Sequence, residues 1–200
     1  AAIPLVKAPL GSEASFVLKV TNNGTAQEDF SLLVGELPTG VTARFVANNV
    51  TVSSITVPVH ASILVRLVLT LPYRLNATDF EVWAGARSPK AGTSGTNLVV
   101  ELRLPELRVK DVVYNDKGLK DGEVRNVTVI VANSGDADAS GVVVDLNGQE
   151  KTIVVGANGQ AQVQFKVKFR SDDKSLVVVV DPQNKVQERR EDNNDFITEV

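Results

Sequence analysis

The chain of 200 residues contains no cysteine, no methionine and a single histidine, and each gap removes a class of chemistry. Without thiols there are no disulfides, no thiolate metal sites and no cysteine nucleophile. The one imidazole, His60, falls in what reads as a hairpin turn with no nucleophile pattern near it. Neither a GxSxG elbow nor a phosphate-binding P-loop occurs. A carboxylate pair for glycoside hydrolysis can be picked from 24 acids, but no cleft-forming pattern selects one. The expectation is a protein that is not an enzyme and needs no cofactor. Even the initiator methionine is missing, so a chain opening on Ala1-Ala2-Ile3 reads as a processed product, as after signal-peptide cleavage. No run of about 18 apolar residues is present, so no membrane-spanning helix is expected in the mature chain. Lys and Arg number 21 against 24 Asp and Glu, which leaves no basic field to gather phosphates and argues against nucleic acid.

What remains is a valine-rich chain, 43% hydrophobic, whose apolar residues come in short runs between clusters of Gly, Asn, Asp and Pro. β-Branched runs punctuated by turn residues point to an all-β protein rather than to disorder. The pattern is organised around Val124–Gly135, VRNVTVIVANSG, and an earlier echo at Phe16–Gly24, FVLKVTNNG. Val127, Val129 and Val131 alternate with Asn126, Thr128 and Ile130, as the two faces of a strand require. Phe16, Leu18 and Val20 alternate in the same way with Val17 and Lys19. Each run closes on an Asn-x-Gly turn, and the turns lie 111 residues apart, near half the chain. Gly24 and Gly135 are expected at positive φ, where a side chain is costly. The fold class follows: all-β, two tandem β-sandwich domains. They comprise residues 1–104, with an extended arm over 1–10, and residues 105–200, joined at Pro105-Glu106.

In the first half, Ile3–Leu10 carries Pro4 and Pro9 and suits an edge strand or a free arm, since proline cannot donate to a ladder. Ile63–Leu71 is the most apolar run, with Ile63, Val65, Leu67, Leu69 and Leu71 inward. Leu64 and Val68, on its other face, need cover from a loop or from another chain. Trp83 points outward, toward a partner or under the shelter of its own neighbours. Lys90–Asn97 reads as a flexible Gly/Ser/Thr loop. In the second half, Asn147-Gly148 and Asn158-Gly159 mark hairpins. A polar corner, DPQNKVQERREDNND, precedes the last strand, with Lys185–Arg190 the best candidate for a helical turn.

Gly11–Ser88 resembles the NEW3 family through VTNNG, LPTGVTARF, VPVHASILVRLVLTLP and AGARS, departing at His60-Ala61, where that family carries a Gly-containing turn. Leu107–Val200 resembles CARDB, the cell adhesion related domain found in bacteria, through LRVKDVV, VTVIVANSGDADAS and VDPQNKVQERREDNND. These resemblances imply two tandem immunoglobulin-like (Greek-key) β-sandwich domains, non-catalytic modules of a secreted or cell-surface protein, archaeal or bacterial, with no catalytic residues to carry over.

Three features are candidate sites. Asn23, Asn49, Asn76 and Asn126 each begin an N-x-Thr acceptor, so a glycoprotein is one expectation and turn chemistry the other. Asp181, Asn184 and Glu188 lie in the densest oxygen-rich stretch, a weak Ca²⁺ candidate that matches no EF-hand loop. Asx side chains bonding their own backbone account for it as well. The arm offers Ile3, Leu5, Val6 and Leu10 to a neighbouring subunit's sheet, or else forms the first strand of its own sandwich. The reading is an extracellular structural or adhesive protein, assembled head-to-tail into a cell-surface filament by β-strand donation. Its partners would be further copies of itself, or other surface proteins and glycans. The alternative is a carbohydrate-associated accessory module of a larger secreted glycosidase or protease.

Overall fold

The computed structural model describes residues 2–170 and 175–199 and divides into two compact units, Ala1–Arg103 and Leu104–Val200. Ala1 and Val200, the outermost residues of the expected arm and last strand, lie outside the described residues. Leu104 belongs with the second unit: its N–H donates to Asp136 Oδ1 at 3.1 Å and its carbonyl accepts the Asp136 N–H.

Among the described residues the first unit is a sandwich of nine strands. They are β1 (Leu5–Pro9), β2 (Glu13–Thr21), β3 (Glu28–Val34), β4 (Thr42–Ala47), β5 (Val50–Val52), β6 (Ser54–Val57), β7 (Ser62–Thr70), β8 (Asp79–Ser88) and β9 (Gly92–Arg103). One sheet runs β1-β9-β8-β3-β6, the other β2-β7-β4-β5. Alternation places Phe16, Val65, Leu67 and Leu69 of one sheet against Val82, Leu98, Val100 and Leu102 of the other, all buried. Val68, on the outer face of β7, is buried too. Arg44 stands directly across from it on β4. Glu13 lies on the β2 side of β7 and Arg44 on the β4 side, and the two meet at 2.9 Å. The aliphatic stem of Arg44 thus roofs the valine. Leu64, with no such roof, is 63% exposed.

Lys90–Asn97 is not a loop from end to end. Gly92–Asn97 forms the first half of β9, paired with β8 from Ser88↔Gly92 to Trp83↔Asn97. Its low strand propensity is overridden because β8 supplies a ladder and Trp83 lies across both strands. A Cβ on Gly85 or Gly95 would fall within 2.5 Å of that indole, so both positions need glycine. Trp83 is sheltered by its own sheet.

Among the described residues the second unit has seven strands: β10 (Leu107–Val113), β11 (Val124–Asn133), β12 (Ala139–Leu146), β13 (Gln149–Val155), β14 (Gln160–Lys168), β15 (Ser175–Val180) and β16 (Asp195–Glu199). They form sheets β10-β11-β14 and β13-β12-β15-β16 around Val127, Val129, Val131, Val142, Val144, Phe165, Phe169 and Val178. Tyr114 stacks on Phe169 with ring centroids 5.4 Å apart. Asn147 and Gly148 both take positive φ, the hairpin geometry their sequence predicts. Among the described residues there is no helix; Lys185–Arg190 is irregular.

Gly24 and Gly135 are not in the left-handed region, contrary to expectation, and the Asn two residues before each explains the repeated motif better. Asn22 is buried; its amide donates to the carbonyls of Ala26 and Val57, and its oxygen accepts the Gly24 N–H. Asn133 repeats all three bonds with Ala137, Val155 and Gly135, and accepts a fourth from the Glu106 N–H. Gly135 is required by crowding instead: a Cβ there would stand 2.3 Å from the Leu104 carbonyl oxygen.

Candidate functional site

Two places in the molecule hold more than packing, one in each unit. In the first unit, β1 runs parallel to β9 but covers only its later half, from Leu5↔Val99 to Pro9↔Arg103. Among the described residues, Gly92–Asn97 therefore has no strand on the edge away from β8, and β2, the border strand of the opposite sheet, faces the same gap. Between these borders the sandwich is open. A cleft of about 560 Å³ reaches in among Leu18, Val20, Phe30, Leu32, Val65 and Ala86. Its β8 and β9 wall is built from small inward residues, Ala84, Ala86, Gly92, Ser94 and Thr96, too short to reach the opposite sheet. The signal was present in the sequence, where AGARS and GTSGT place small residues at core positions.

The arm lies in its own sheet in this structure. Val6 is partly buried and Ala8 fully so, Leu5 and Ile3 are about half exposed, and Leu10 is partly buried in the turn to β2. The pleat turns Leu5 outward because Val6 and Ala8 take the inward positions. Lys7 pairs with Glu101 at 2.6 Å on the outer face. Asn23 is exposed and borders the cleft; Asn49 occupies a β4–β5 turn at φ 62°; Asn76 lies in the β7–β8 loop and Asn126 on the outer face of β11. All four acceptor side chains face solvent.

In the second unit, the corner between β15 and β16 folds back onto the start of β10. Glu188 is buried; its carboxylate accepts the Leu107 N–H and the Asn194 amide. Burial pushes its pKa up to about 7 against the pull of those two donors, with Glu191 and Asp181 adding repulsion. Asp181 is buried at positive φ, and its Oδ2 accepts the Val186 N–H at 2.6 Å. Asn184 sits exposed in the same turn, its N–H donating to the Asp181 carbonyl. Of the oxygen-rich stretch that holds the candidates Asp181, Asn184 and Glu188, the structure buries Asp181, Glu188 and Asn194 and leaves Asn184 exposed. Arg189 pairs with Asp136 at 2.8 Å, which lowers the Asp136 pKa despite the opposing cost of burial. Among the described residues, no three His, Asp or Glu side chains stand close enough together to hold a metal.

The CARDB family model matches residues 104–198. The same part of the chain is similar to the CARDB domain of a Pyrococcus furiosus protein, solved in complex with di-metal ions. That likeness has 23% identity over 49% of this chain and 93% of that one, with a TM-score of 0.43. Over its length the chain is similar to the secreted serine protease VesC of Vibrio cholerae, at 13% identity, 98% of this chain, 49% of that one and a TM-score of 0.36. It is likewise similar to the CupB2 chaperone of Pseudomonas aeruginosa, at 12% identity, 100% and 97% coverage and a TM-score of 0.35. No curated protein matches the chain.

Proposed function

We propose, on the premise that residues 104–198 are a domain of the non-catalytic CARDB family, that the chain is an extracellular adhesive or structural protein that joins copies of itself by adding a strand. The observation that carries this reading is the unpaired Gly92–Asn97 edge beside an open apolar cleft. An edge of this kind offers free N–H and carbonyl groups, and proteins ordinarily cover such edges. An incoming strand finds main-chain partners there and room for alternate side chains among Leu18, Val20 and Leu32. The arm Ala1–Leu10 is the segment we assign to it, donated by a neighbouring copy with Ile3, Leu5, Val6 and Leu10 as the side chains to bury. Because donor and acceptor surfaces differ, the contact is heterologous and propagates head to tail. Glycans on Asn23, Asn49, Asn76 or Asn126 suit a surface location. The NEW3 assignment of Gly11–Ser88 rests on its sequence motifs alone.

A second reading has an observation of its own. β1 is already bonded within its own domain, so the arm is not left over. On that reading the chain is a carbohydrate-associated accessory module of a larger secreted glycosidase or protease. Size-exclusion chromatography and negative-stain imaging of three proteins separate the two: the full chain, a chain lacking residues 1–10, and Ala86→Leu, which fills the cleft. Assembly predicts elongated oligomers from the full chain and monomers from both variants. One monomeric state for all three overturns it.

A further inference from the structure

Among the described residues, five buried side-chain polar atoms have no hydrogen-bond partner, and four are oxygens of the second unit's polar corner: Glu106 Oε2, Asp181 Oδ1, Asn193 Oδ1 and Asn194 Oδ1. A buried carboxylate oxygen with nothing to accept from loses its hydration and receives no return. Asp181 and Asn194 are each more than nine-tenths buried, and main-chain bonding brings them together, the Val180 N–H donating to the Asn194 carbonyl at 2.9 Å. Glu188, equally buried, bonds the Asn194 amide at 3.0 Å. That bond turns the Asn194 Nδ2 toward Glu188 and leaves the Asn194 oxygen unused.

Two buried carboxylates, Asp181 and Glu188, thus share one corner, and the corner's arginines are engaged elsewhere. Arg189 binds Asp136 and Arg190 binds Asp192. Every unsatisfied atom in the corner is an acceptor, so the missing partner is either a donor or a cation. Oxygen-rich surroundings of mixed carboxylate and carboxamide are the chemistry of a hard divalent ion. Calcium fits better than magnesium because it accepts irregular spheres of six to eight oxygens completed by water.

We infer that the β15–β16 corner binds one calcium ion through Asp181 Oδ1 and Asn194 Oδ1 beside the Glu188 carboxylate. The ion would join the last hairpin's approach to the first strand of the same domain, since Glu188 also holds the Leu107 N–H. Calcium would then set how firmly the two ends of the domain are tied, independently of any strand donation in the first unit.

The test uses the full chain stripped with a chelator and titrated with calcium chloride. Calorimetry should show a single binding event, and amide exchange should slow in residues 181–195 and at Leu107 while the first unit is unchanged. Asp181→Asn, nearly isosteric, should weaken binding at least tenfold. Asp192→Asn, at an exposed residue of the same loop, should leave it unchanged. No heat and no protection at millimolar calcium would overturn the assignment, as would equal loss in the two variants, which is the mark of a diffuse acidic surface. The exchange measurement on the unmodified chain decides the matter even if Asp181→Asn misfolds.

Discussion

Asn22 and Asn133 occupy the same place in the two units, and the surroundings of each show how one plan serves two ends. Both pin the loop after a long strand to a carbonyl of the facing sheet, that of Val57 or Val155. In the second unit the asparagine also holds the Glu106 N–H, Gly135 is wedged against the Leu104–Glu106 backbone, and the core closes around fully buried valines. In the first unit the same turn stands beside an open cleft, Gly24 has only the Asn22 side chain near it, and Leu18, Val20 and Leu32 stay partly exposed. The difference lies in what flanks the motif. Where the entering chain packs against the turn, the sandwich closes; where β1 stops short along β9, it stays open at one border.

Substitutions made in pairs sharpen that contrast. Trp83 fluorescence reads the first unit, which contains the only tryptophan, and the near-ultraviolet signal of Tyr114 on Phe169 reads the second. The largest effect is expected from Gly135→Ala. Its Cβ meets backbone atoms that cannot step aside, for a loss of roughly 3 kcal/mol in the denaturant midpoint of the second unit. Gly24→Ala meets a side-chain oxygen at 3.0 Å and should cost less than about 1 kcal/mol. Equal losses would break the claim that crowding distinguishes the two turns.

Asn133→Ala strands a buried acceptor and the Glu106 N–H together, and about 2–3 kcal/mol is expected. Asn22→Ala, with one bond fewer, should cost about 1 kcal/mol less by the same measurement. A larger loss in the first unit would reverse the comparison. Cavity filling comes next. Val142→Leu in the closed core should destabilise by about 1–2 kcal/mol, whereas Ala86→Leu points into the cleft and should be neutral or stabilising. If Ala86→Leu costs as much as Val142→Leu, the cleft is not open in solution. The smallest effect belongs to Arg44→Ala. The exposed Glu13–Arg44 pair contributes little as charge, so thermal melting should fall by less than about 1 kcal/mol equivalent, most of it from uncovering Val68.

The sequence by itself determined the all-β class, two sandwiches, the buried valine ladder of β11 and β14 and the Asn-Gly hairpin at Asn147-Gly148, because each depends on local alternation and turn chemistry. Residue order alone also marked the corner at Asp181–Asp195 as rich in oxygen ligands. Only the tertiary structure decided that Gly92–Asn97 is a strand, since its ladder comes from β8 and its outer cover from Trp83. Only the tertiary structure replaced positive φ at Gly24 and Gly135 with the buried asparagines beside them, and brought Asn194 to Glu188 while leaving Asn184 outside. The reason is the same in each case. Propensity and periodicity act between near neighbours, whereas an unpaired edge, a crowded glycine or an orphaned oxygen is defined by atoms that meet from distant parts of the chain.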